Sequence, residues 1–327
     1  MMASQKWIIR SERIAPTRLR HTLAAAVLVI ICLSADAIAA TKNGFPLDDA
    51  LVPAREIKSG GPGKDGIPAL IDPDFVAADE ASFLTDKDRV LGISHNGVIR
   101  AYPIRILNYH EIVNDLLGGD AIVVTFCPLC GSGMAFSSNI SDARFLFGVS
   151  GLLYNSDILM YDVQTQSLWS QLMSQAISGP MKGQRLTTLP ISHTTWKEWK
   201  SRYPDTEVLT TQTGFRRNYR VDPYPNYGRS GRLYFPVNQS SKLYKRKALV
   251  MGLEIDGQFK VYPFDELEEG QVRFTDEFQG ISFDVLFDED NKTARILGAD
   301  GAEIPTTIAF WFAWYAFHPE SEVFTAD

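Results

Sequence analysis

The chain is poor in cysteine and histidine, with three cysteines and five histidines among 327 residues. So few thiols exclude the disulfide-rich scaffold that holds small exported domains together, and the core must therefore come from apolar packing. Several signatures are missing as well: the glycine-rich fingerprints of dinucleotide and P-loop sites, the Gly-x-Ser-x-Gly turn and the His-Glu-x-x-His helix. We therefore expect no nucleotide cofactor.

Basic clusters are also missing beyond residue 39. The whole chain carries a net charge of -7, and leaving out residues 1–39, with five basic and two acidic side chains, brings it to about -10. An acidic protein without a basic stripe is poorly suited to nucleic acid or to anionic lipid. We expect no nucleic-acid partner, and instead an unknown periplasmic partner or a small ligand.

The first 39 residues have the pattern of a signal peptide. Five basic side chains in residues 1–21 precede an apolar or small stretch from Thr22 to Leu33, and Ala37 and Ala39 supply a cleavage pattern of small residues. We therefore predict a periplasmic or secreted protein with no stable membrane insertion after cleavage. The alternative is an inner-membrane anchor through residues 22–33, although that stretch is short of the roughly 20 residues of a membrane span.

Alternating apolar runs and frequent turn residues predict an α+β fold with a β-rich body and short helices. Residues 40–84 are rich in Gly and Pro and predict an irregular N-terminal arm, followed by one family domain over residues 85–327. Apolar spacing predicts a short helix over residues 104–117, ended by Gly118, and a second short helix from Trp196 to Tyr203.

One hairpin pattern occurs twice. Residues 90–107 and 250–267 share six identical residues, and each segment has a turn dipeptide at the same place, Asn96-Gly97 in the first and Asp256-Gly257 in the second. The recurrence predicts an internal duplication of the hairpin unit, with pseudo-repeats at about residues 85–215 and 245–327.

Several sequence blocks together are typical of one family. They are YHEIVND at 109–115, TFCPLCG at 125–131, SGLLYNSD at 150–157, WKEW at 196–199 and FAWYAFHP at 312–319. Through these blocks the chain resembles the exported bacterial proteins grouped as the domain of unknown function 3179 family, over roughly residues 85–325. The resemblance implies no particular reaction, because the family is defined without one.

The central candidate for chemistry is the pair Cys127 and Cys130, which follows an apolar strand in a Cys-Pro-Leu-Cys-Gly turn. Such a turn resembles half of a zinc knuckle, and a full site needs further ligands. We predict a metal site, for copper or zinc, completed by His110, with a redox or metal-handling role. We expect three polar residues embedded in apolar blocks to surround the metal ligands as a second shell: Glu111, Asn155 and Asp157.

Three alternatives compete with the metal site. A disulfide between the two cysteines, in a non-catalytic binding module, is also compatible with the spacing. Thiol–disulfide exchange would need the pair at a helix N-terminus, which Gly131 and Gly133 disfavour. Hydrolysis by a carboxylate pair could use Glu111, Asp157 or Asp162. The sequence alone leaves open whether the protein is an enzyme.

Overall fold

Strands dominate the part of the protein that the structure, a computed structural model, describes, which is residues 41–326. They hold 42% of these residues, and helices hold 10%. The β-rich body with short helices is therefore confirmed, whereas the α+β class gives the helices too much weight. The predicted signal peptide, residues 1–39, lies outside the described residues.

The strands are, in chain order, β1 (Thr41–Lys42), β2 (Phe45–Pro46), β3 (Lys58–Ser59), β4 (Leu70–Ile71), β5 (Phe75–Ala77), β6 (Arg89–His95), β7 (Val98–Pro103), β8 (Ile112–Leu117), β9 (Asp120–Cys127), β10 (Ser132–Ser137), β11 (Asn139–Ile140), β12 (Ala143–Arg144), β13 (Phe147–Tyr154) and β14 (Asp157–Asp162). They continue with β15 (Leu168–Ser170), β16 (Gln175–Ser178), β17 (Thr188–Leu189), β18 (Ser192–Thr195), β19 (Glu207–Leu209), β20 (Leu249–Ile255), β21 (Gln258–Pro263), β22 (Arg273–Phe278), β23 (Ile281–Asp288), β24 (Thr293–Gly298), β25 (Glu303–Ile304), β26 (Thr306–Phe310) and β27 (Glu322–Val323). The α-helices are α1 (Ile104–His110), α2 (Trp196–Arg202), α3 (Phe264–Glu269) and α4 (Trp311–Phe317), and a 3-10 helix spans Tyr227–Arg229.

Five mostly antiparallel sheets form a propeller-like arrangement within residues 41–326. Their strand orders are β18-β6-β7-β19-β5 in sheet I, β17-β10-β9-β8-β4 in sheet II, β16-β15-β14-β13-β3 in sheet III, β26-β20-β21-β27 in sheet IV and β25-β24-β23-β22 in sheet V. The segment predicted as an irregular arm contributes the edge strands β3, β4 and β5 to three of these sheets. No helix in the described part is long and apolar enough to cross a membrane.

One of the two predicted helices is shorter than the pattern indicated. Apolar spacing predicted a helix over residues 104–117, but α1 ends at His110 and residues 112–117 form β8. Glu111 has a φ of 58°, which ends the helix, and the β-branched pair Ile112-Val113 then favours a strand. The second predicted helix is confirmed as α2, where the Thr195 side chain accepts a hydrogen bond from the Glu198 amide.

The internal repeat is confirmed by strand pairing. Leu91 lies opposite Tyr102 in the β6–β7 hairpin, and Met251 lies opposite Tyr262 in the β20–β21 hairpin. Both turn dipeptides have positive φ at both residues, as a two-residue type I′ turn requires. The repetition extends further, because sheets I and II share the order of their four main strands with sheets IV and V.

Each copy packs a glycine of its hairpin against a tryptophan of its second helix. A Cβ atom on Gly92 would lie 2.3 Å from the Trp199 ring, and one on Gly252 would lie 2.0 Å from the Trp314 ring. Only a residue without a side chain allows so close an approach of strand and indole. The same glycine–indole contact in both copies shows that it belongs to the repeated architecture.

A buried hydrogen bond is repeated as well. The Tyr102 hydroxyl donates to Asp115 at 2.6 Å, and the Tyr262 hydroxyl donates to Asp276 at 2.8 Å. Both acids lie on the strand that follows the first helix of their copy, β8 in one case and β22 in the other. Features found at equivalent places in both copies are thus part of the scaffold.

Sheet III breaks the symmetry. It lies between β10 and β17 of the first copy, whereas in the second copy β24 leads directly to β25. The turns at the point of divergence correspond closely: Cys127 pairs with Ser132 across the β9–β10 turn, and Asp288 pairs with Thr293 across the β23–β24 turn. The inserted sheet therefore packs beside the turn that holds both cysteines.

Candidate functional site

The β9–β10 turn holds the cysteine pair in a fixed loop. Cys127 is the last residue of β9, and Gly131 has a φ of 63°, which returns the chain to β10. A Cβ atom on Gly131 would lie 3.1 Å from the Phe310 ring, so a larger residue would be strained here. The Phe310 amide donates to the Cys130 carbonyl at 2.8 Å, which ties the turn to sheet IV.

Sheet III supplies the third member of the site. Its β13–β14 hairpin turns at Asn155 and Ser156, both at positive φ, and Asp157 follows as the first residue of β14. The Cys127 thiol faces this turn and donates to the Ser156 carbonyl at 3.7 Å. The amide of Leu172 donates to Oδ2 of Asp157 at 3.0 Å. Its Oδ1 is buried and accepts no N–H or O–H hydrogen bond within residues 41–326, so the thiols of Cys127 and Cys130 are the polar groups that interact with this side of the carboxyl group.

Cys127, Cys130 and Asp157 form one compact group. Their sulfur and carboxylate atoms lie within 4.8 Å of one another, and all three side chains are fully buried. Both cysteines are free thiols. Such a set, two sulfurs and one oxygen at contact distance, has the donor types and the spacing that a Zn²⁺ ion accepts.

Burial dominates the electrostatics of the group. It raises the pKa of Asp157 to about 7, and it raises the pKa of the Cys127 and Cys130 thiols above the usual range. Without a cation the two thiols therefore hold their protons at neutral pH, and Asp157 holds its proton below about pH 7. A bound metal would reverse this, since it stabilises thiolate and carboxylate and displaces their protons.

Tyr227 adds an unsatisfied polar group beside the sulfurs. Its hydroxyl is buried and has no hydrogen-bond partner in the described part of the chain. Burial raises the pKa of Tyr227, and negative charge on Cys130 and Cys127 raises it further, which places the ring in the same electrostatic environment. A buried hydroxyl without a partner costs about 1–3 kcal/mol.

His110 lies elsewhere. Its Nδ1 lies 2.8 Å from the Pro68 carbonyl and its Nε2 lies 2.6 Å from the Tyr219 hydroxyl, so both ring nitrogens are engaged. The structure does not bring His110 into the group of Cys127, Cys130 and Asp157. The histidine instead joins the N-terminal segment to the loop that contains Tyr219.

The two other residues predicted around the metal have different surroundings. Glu111 is buried and lines a cavity of about 140 Å³ together with Cys127 and Tyr224. Asn155 links distant segments, because its amide donates to the Ala316 carbonyl and its oxygen accepts from the Asn238 amide. Asn155 thus holds the hairpin turn that carries Asp157.

Asp162, a candidate in the hydrolase alternative, has a structural environment. Its carboxylate accepts hydrogen bonds from the Thr165 and Ser167 amides, the Thr165 hydroxyl and the Trp169 indole. These bonds occupy the acceptor capacity of the carboxylate and stabilise the β14–β15 connection. No free oxygen is left there to act on a substrate.

The sequence did not place the tyrosines of the loop between β19 and β20 at the cysteine site, although their number favoured a binding module. Tyr224 and Tyr227 lie beside the cysteines, although they follow Cys127 by about a hundred residues. The concentration of tyrosine and proline in residues 218–238 is the one signal that could have indicated a functional loop.

Comparison with known proteins gives a family and nothing more specific. The model of a family described as "Protein of unknown function (DUF3179)" matches residues 64–302. No curated protein and no solved structure matches the chain.

Proposed function

The chain belongs to the DUF3179 family, as its sequence blocks predicted, and since that family has no known function, we propose from the geometry that this member is an exported metal-binding protein. Cys127, Cys130 and Asp157 are the proposed ligands, and the metal is Zn²⁺. The observation that carries the proposal is the compact buried group itself, in which a carboxylate oxygen of Asp157 lies within 4.8 Å of two sulfurs.

Energetics support a cation at this place. A buried carboxylate oxygen without a partner costs about 1–3 kcal/mol, and this cost is avoided if the oxygen coordinates an ion. The two sulfurs lie within 4.8 Å of that carboxylate, in a cluster of otherwise apolar buried residues. A metal ion would replace the protons of the group and satisfy all three donors together.

The mixed donor set favours zinc over copper. Zn²⁺ accepts both thiolate and carboxylate as ligands, with four ligands in a tetrahedron. Cu⁺ is softer and prefers sulfur, so it would use the two thiolates and leave Asp157 without a role. Copper is therefore the competing metal, and the dependence of binding on Asp157 distinguishes the two.

Thiol–disulfide exchange is a weaker explanation. An exchange enzyme needs an exposed thiol with a lowered pKa. Cys127 and Cys130 are fully buried, and burial raises the pKa of both thiols.

The predicted signal peptide and the acidic mature surface support a periplasmic or secreted metal-binding protein that acts on a small ligand or a periplasmic partner and not on nucleic acid.

The test is elemental analysis of the purified protein and of defined variants. We expect about one zinc per chain, and we expect Cys127→Ser, Cys130→Ser and Asp157→Asn each to lose it. Two controls should keep the metal: Asp288→Asn, at the place in the second copy that corresponds to Cys127, and His110→Gln.

Each other outcome has a defined meaning. Loss of metal in His110→Gln with retention in Asp157→Asn would show that the ligand set is wrong. Copper that is retained in Asp157→Asn would identify a two-sulfur copper site. Absence of any metal, with both sulfurs blocked to alkylation until they are reduced, would refute the proposal in favour of the disulfide.

A further inference from the structure

The two copies of the repeat act as an internal comparison for the site. In the second copy the turn equivalent to the cysteine turn is closed on itself, because the amide and the side chain of Asn291 both donate to Asp288. In the first copy the same turn carries two thiols whose neighbour Asp157 has an oxygen that accepts no N–H or O–H hydrogen bond within residues 41–326. Features that only the first copy has are therefore candidates for function and not for the shared scaffold.

Glu111 is one such feature. It is the residue after α1, with a φ of 58°, whereas none of Gly270, Gln271 and Val272, which follow α3 in the second copy, has a positive φ. A non-glycine residue in this region of φ is strained, and such strain is concentrated at functional sites. The first copy thus accepts a strained backbone at Glu111 that its duplicate avoids.

The position of Glu111 is fixed relative to the cysteines. Its amide donates to the Leu107 carbonyl at 2.7 Å, and its carbonyl accepts from the Phe126 amide at 2.8 Å, one residue before Cys127. The side chain is 6% exposed, and no hydrogen bond or ion pair to its carboxylate occurs within residues 41–326. Glu111 lines the cavity beside the cysteine turn, and burial, with a smaller contribution from the charge of Asp157, raises the pKa of Glu111 to about 8.

The cavity of about 140 Å³ joins Glu111 to Cys127, one of the three proposed metal ligands. Cys127 forms part of its wall, and the rest is mainly apolar, with Leu129, Val149 and Ile158 among the lining residues. The only His, Cys, Asp or Glu donors grouped at the sulfurs in the described part are Cys127, Cys130 and Asp157. A tetrahedral ion held by three protein donors keeps its fourth position for a water or another small ligand.

We infer that the metal of the proposed function keeps an open coordination position that faces this cavity, and that Glu111 accepts a hydrogen bond from the small ligand bound there. The inference rests on the proposed metal site and defines the ligand class. The ligand is small and uncharged, since the cavity is mainly apolar. It has one N, O or S donor for the metal and one N–H or O–H for Glu111. The centre would thus bind an exogenous ligand and would not be purely structural.

The experiment uses the full mature protein loaded with Co²⁺ in place of zinc, with imidazole as the probe. Imidazole is small and neutral, and it has one nitrogen for the metal and one N–H for Glu111. The visible bands of thiolate-bound Co²⁺ change when a fourth ligand is exchanged. We expect imidazole to change the spectrum of the wild-type protein in a saturable way.

Variants identify the role of each part. Glu111→Leu should still bind Co²⁺ but should bind imidazole up to about tenfold more weakly, the contribution of one hydrogen bond. Glu111→Gln keeps an acceptor oxygen and should recover most of the affinity. Ile67→Trp places a larger side chain in the cavity from a partly buried loop position, and it should keep Co²⁺ but abolish the response to imidazole.

The outcomes separate this inference from the metal site itself. If the wild-type protein binds no Co²⁺, the proposed function fails. If it binds Co²⁺ but imidazole leaves the spectrum unchanged, the metal is coordinatively closed and the inference is overturned while the metal site stands. If both Glu111→Leu and Glu111→Gln lose Co²⁺, Glu111 is itself the fourth ligand, which also overturns the open position.

Discussion

Replacing Asp157 with asparagine is expected to change how the stability of the metal-free protein depends on pH. Burial raises the pKa of Asp157 to about 7 in the folded protein, against about 3.9 for an aspartate in the unfolded chain. Between these values the folded carboxyl group keeps its proton while the unfolded one is ionised. Unfolding then releases a proton, so stability falls as pH rises towards 7 and is constant above it.

The magnitude follows from the two pKa values. One proton per molecule corresponds to about 1.4 kcal/mol per pH unit, and integration from pH 5 to pH 8 gives a loss of about 3 kcal/mol for Asp157. Asparagine does not titrate. The free energy of unfolding of Asp157→Asn minus that of the wild-type protein should therefore increase by about 3 kcal/mol over this range. Zinc should remove the contribution of Asp157 to the pH dependence of stability in the wild-type protein, because the metal keeps Asp157 ionised in the folded state.

A difference between two proteins is needed because other groups titrate in the opposite sense. Burial lowers the pKa of His110, His193 and His318, the last to about 4. These histidines are neutral when folded and protonated when unfolded below about pH 6.5, so their contribution to stability rises with pH. They are present in both proteins and cancel in the difference. Glu111, with a pKa raised to about 8 by burial and by the charge of Asp157, titrates in the same sense as Asp157, and its coupling to Asp157 adds to the expected difference.

The assay is urea unfolding followed by tryptophan fluorescence, with a chelator present, at pH values from 5 to 8. Asp276→Asn serves as the control: burial acts to raise the pKa of Asp276, but hydrogen bonds from Lys260 and Tyr262 lower it, so it is ionised in both states throughout this range. A difference between wild type and Asp157→Asn that stays constant with pH would show that Asp157 is already ionised. The interpretation that Asp157 keeps its proton in the metal-free folded protein and exchanges it for a cation would then be refuted.

Three further outcomes are expected. In urea unfolding, Gly92→Ala and Gly252→Ala should each lower the free energy of unfolding by about 1–3 kcal/mol, because the new methyl group overlaps an indole ring. The control Gly63→Ala, where the methyl group enters open space, should change it by less than about 0.5 kcal/mol. Mass spectrometry of the exported protein should find an N-terminus at or near Ala40, and an intact residue 1 on membrane-bound protein would favour the anchor. Alkylation of the metal-free folded protein should modify Cys127 far more slowly than in urea, and modification at the rate of free cysteine would contradict the burial of the pair.

The duplication explains how a repeated scaffold came to hold a single site. Sheets I and II repeat as sheets IV and V, down to the glycine–indole contact and the tyrosine–aspartate hydrogen bond. Sheet III belongs to the first copy only, and it brings Asp157 to a turn that in the second copy is closed by Asp288 and Asn291. The site therefore forms where the inserted sheet meets the repeated one, and mutations in the second copy should affect stability more than metal content.

Much of the architecture was determined by local sequence. Asn96-Gly97 and Asp256-Gly257 specify type I′ turns because these residues accept positive φ, and the alternating apolar residues around them then set the register of each hairpin. The apolar strand before Cys127 and the glycine after Cys130 likewise fix the turn that presents both thiols. Over residues 104–117 local pattern was insufficient, because the reversal at Glu111 depends on contacts of the surrounding fold.

Which residue lies beside the cysteine pair was decided by tertiary structure alone. His110 and Asp157 were both available in sequence, 17 and 30 residues from Cys127, and nothing in their neighbours shows which one turns towards the sulfurs. The fold directs the nitrogens of His110 to Pro68 and Tyr219, and it places a carboxylate oxygen of Asp157 beside the thiols. The residue that lies next to the cysteine pair depends on how sheet III packs against sheet II. That packing results from contacts between residues far apart in the sequence, which a local sequence pattern does not predict.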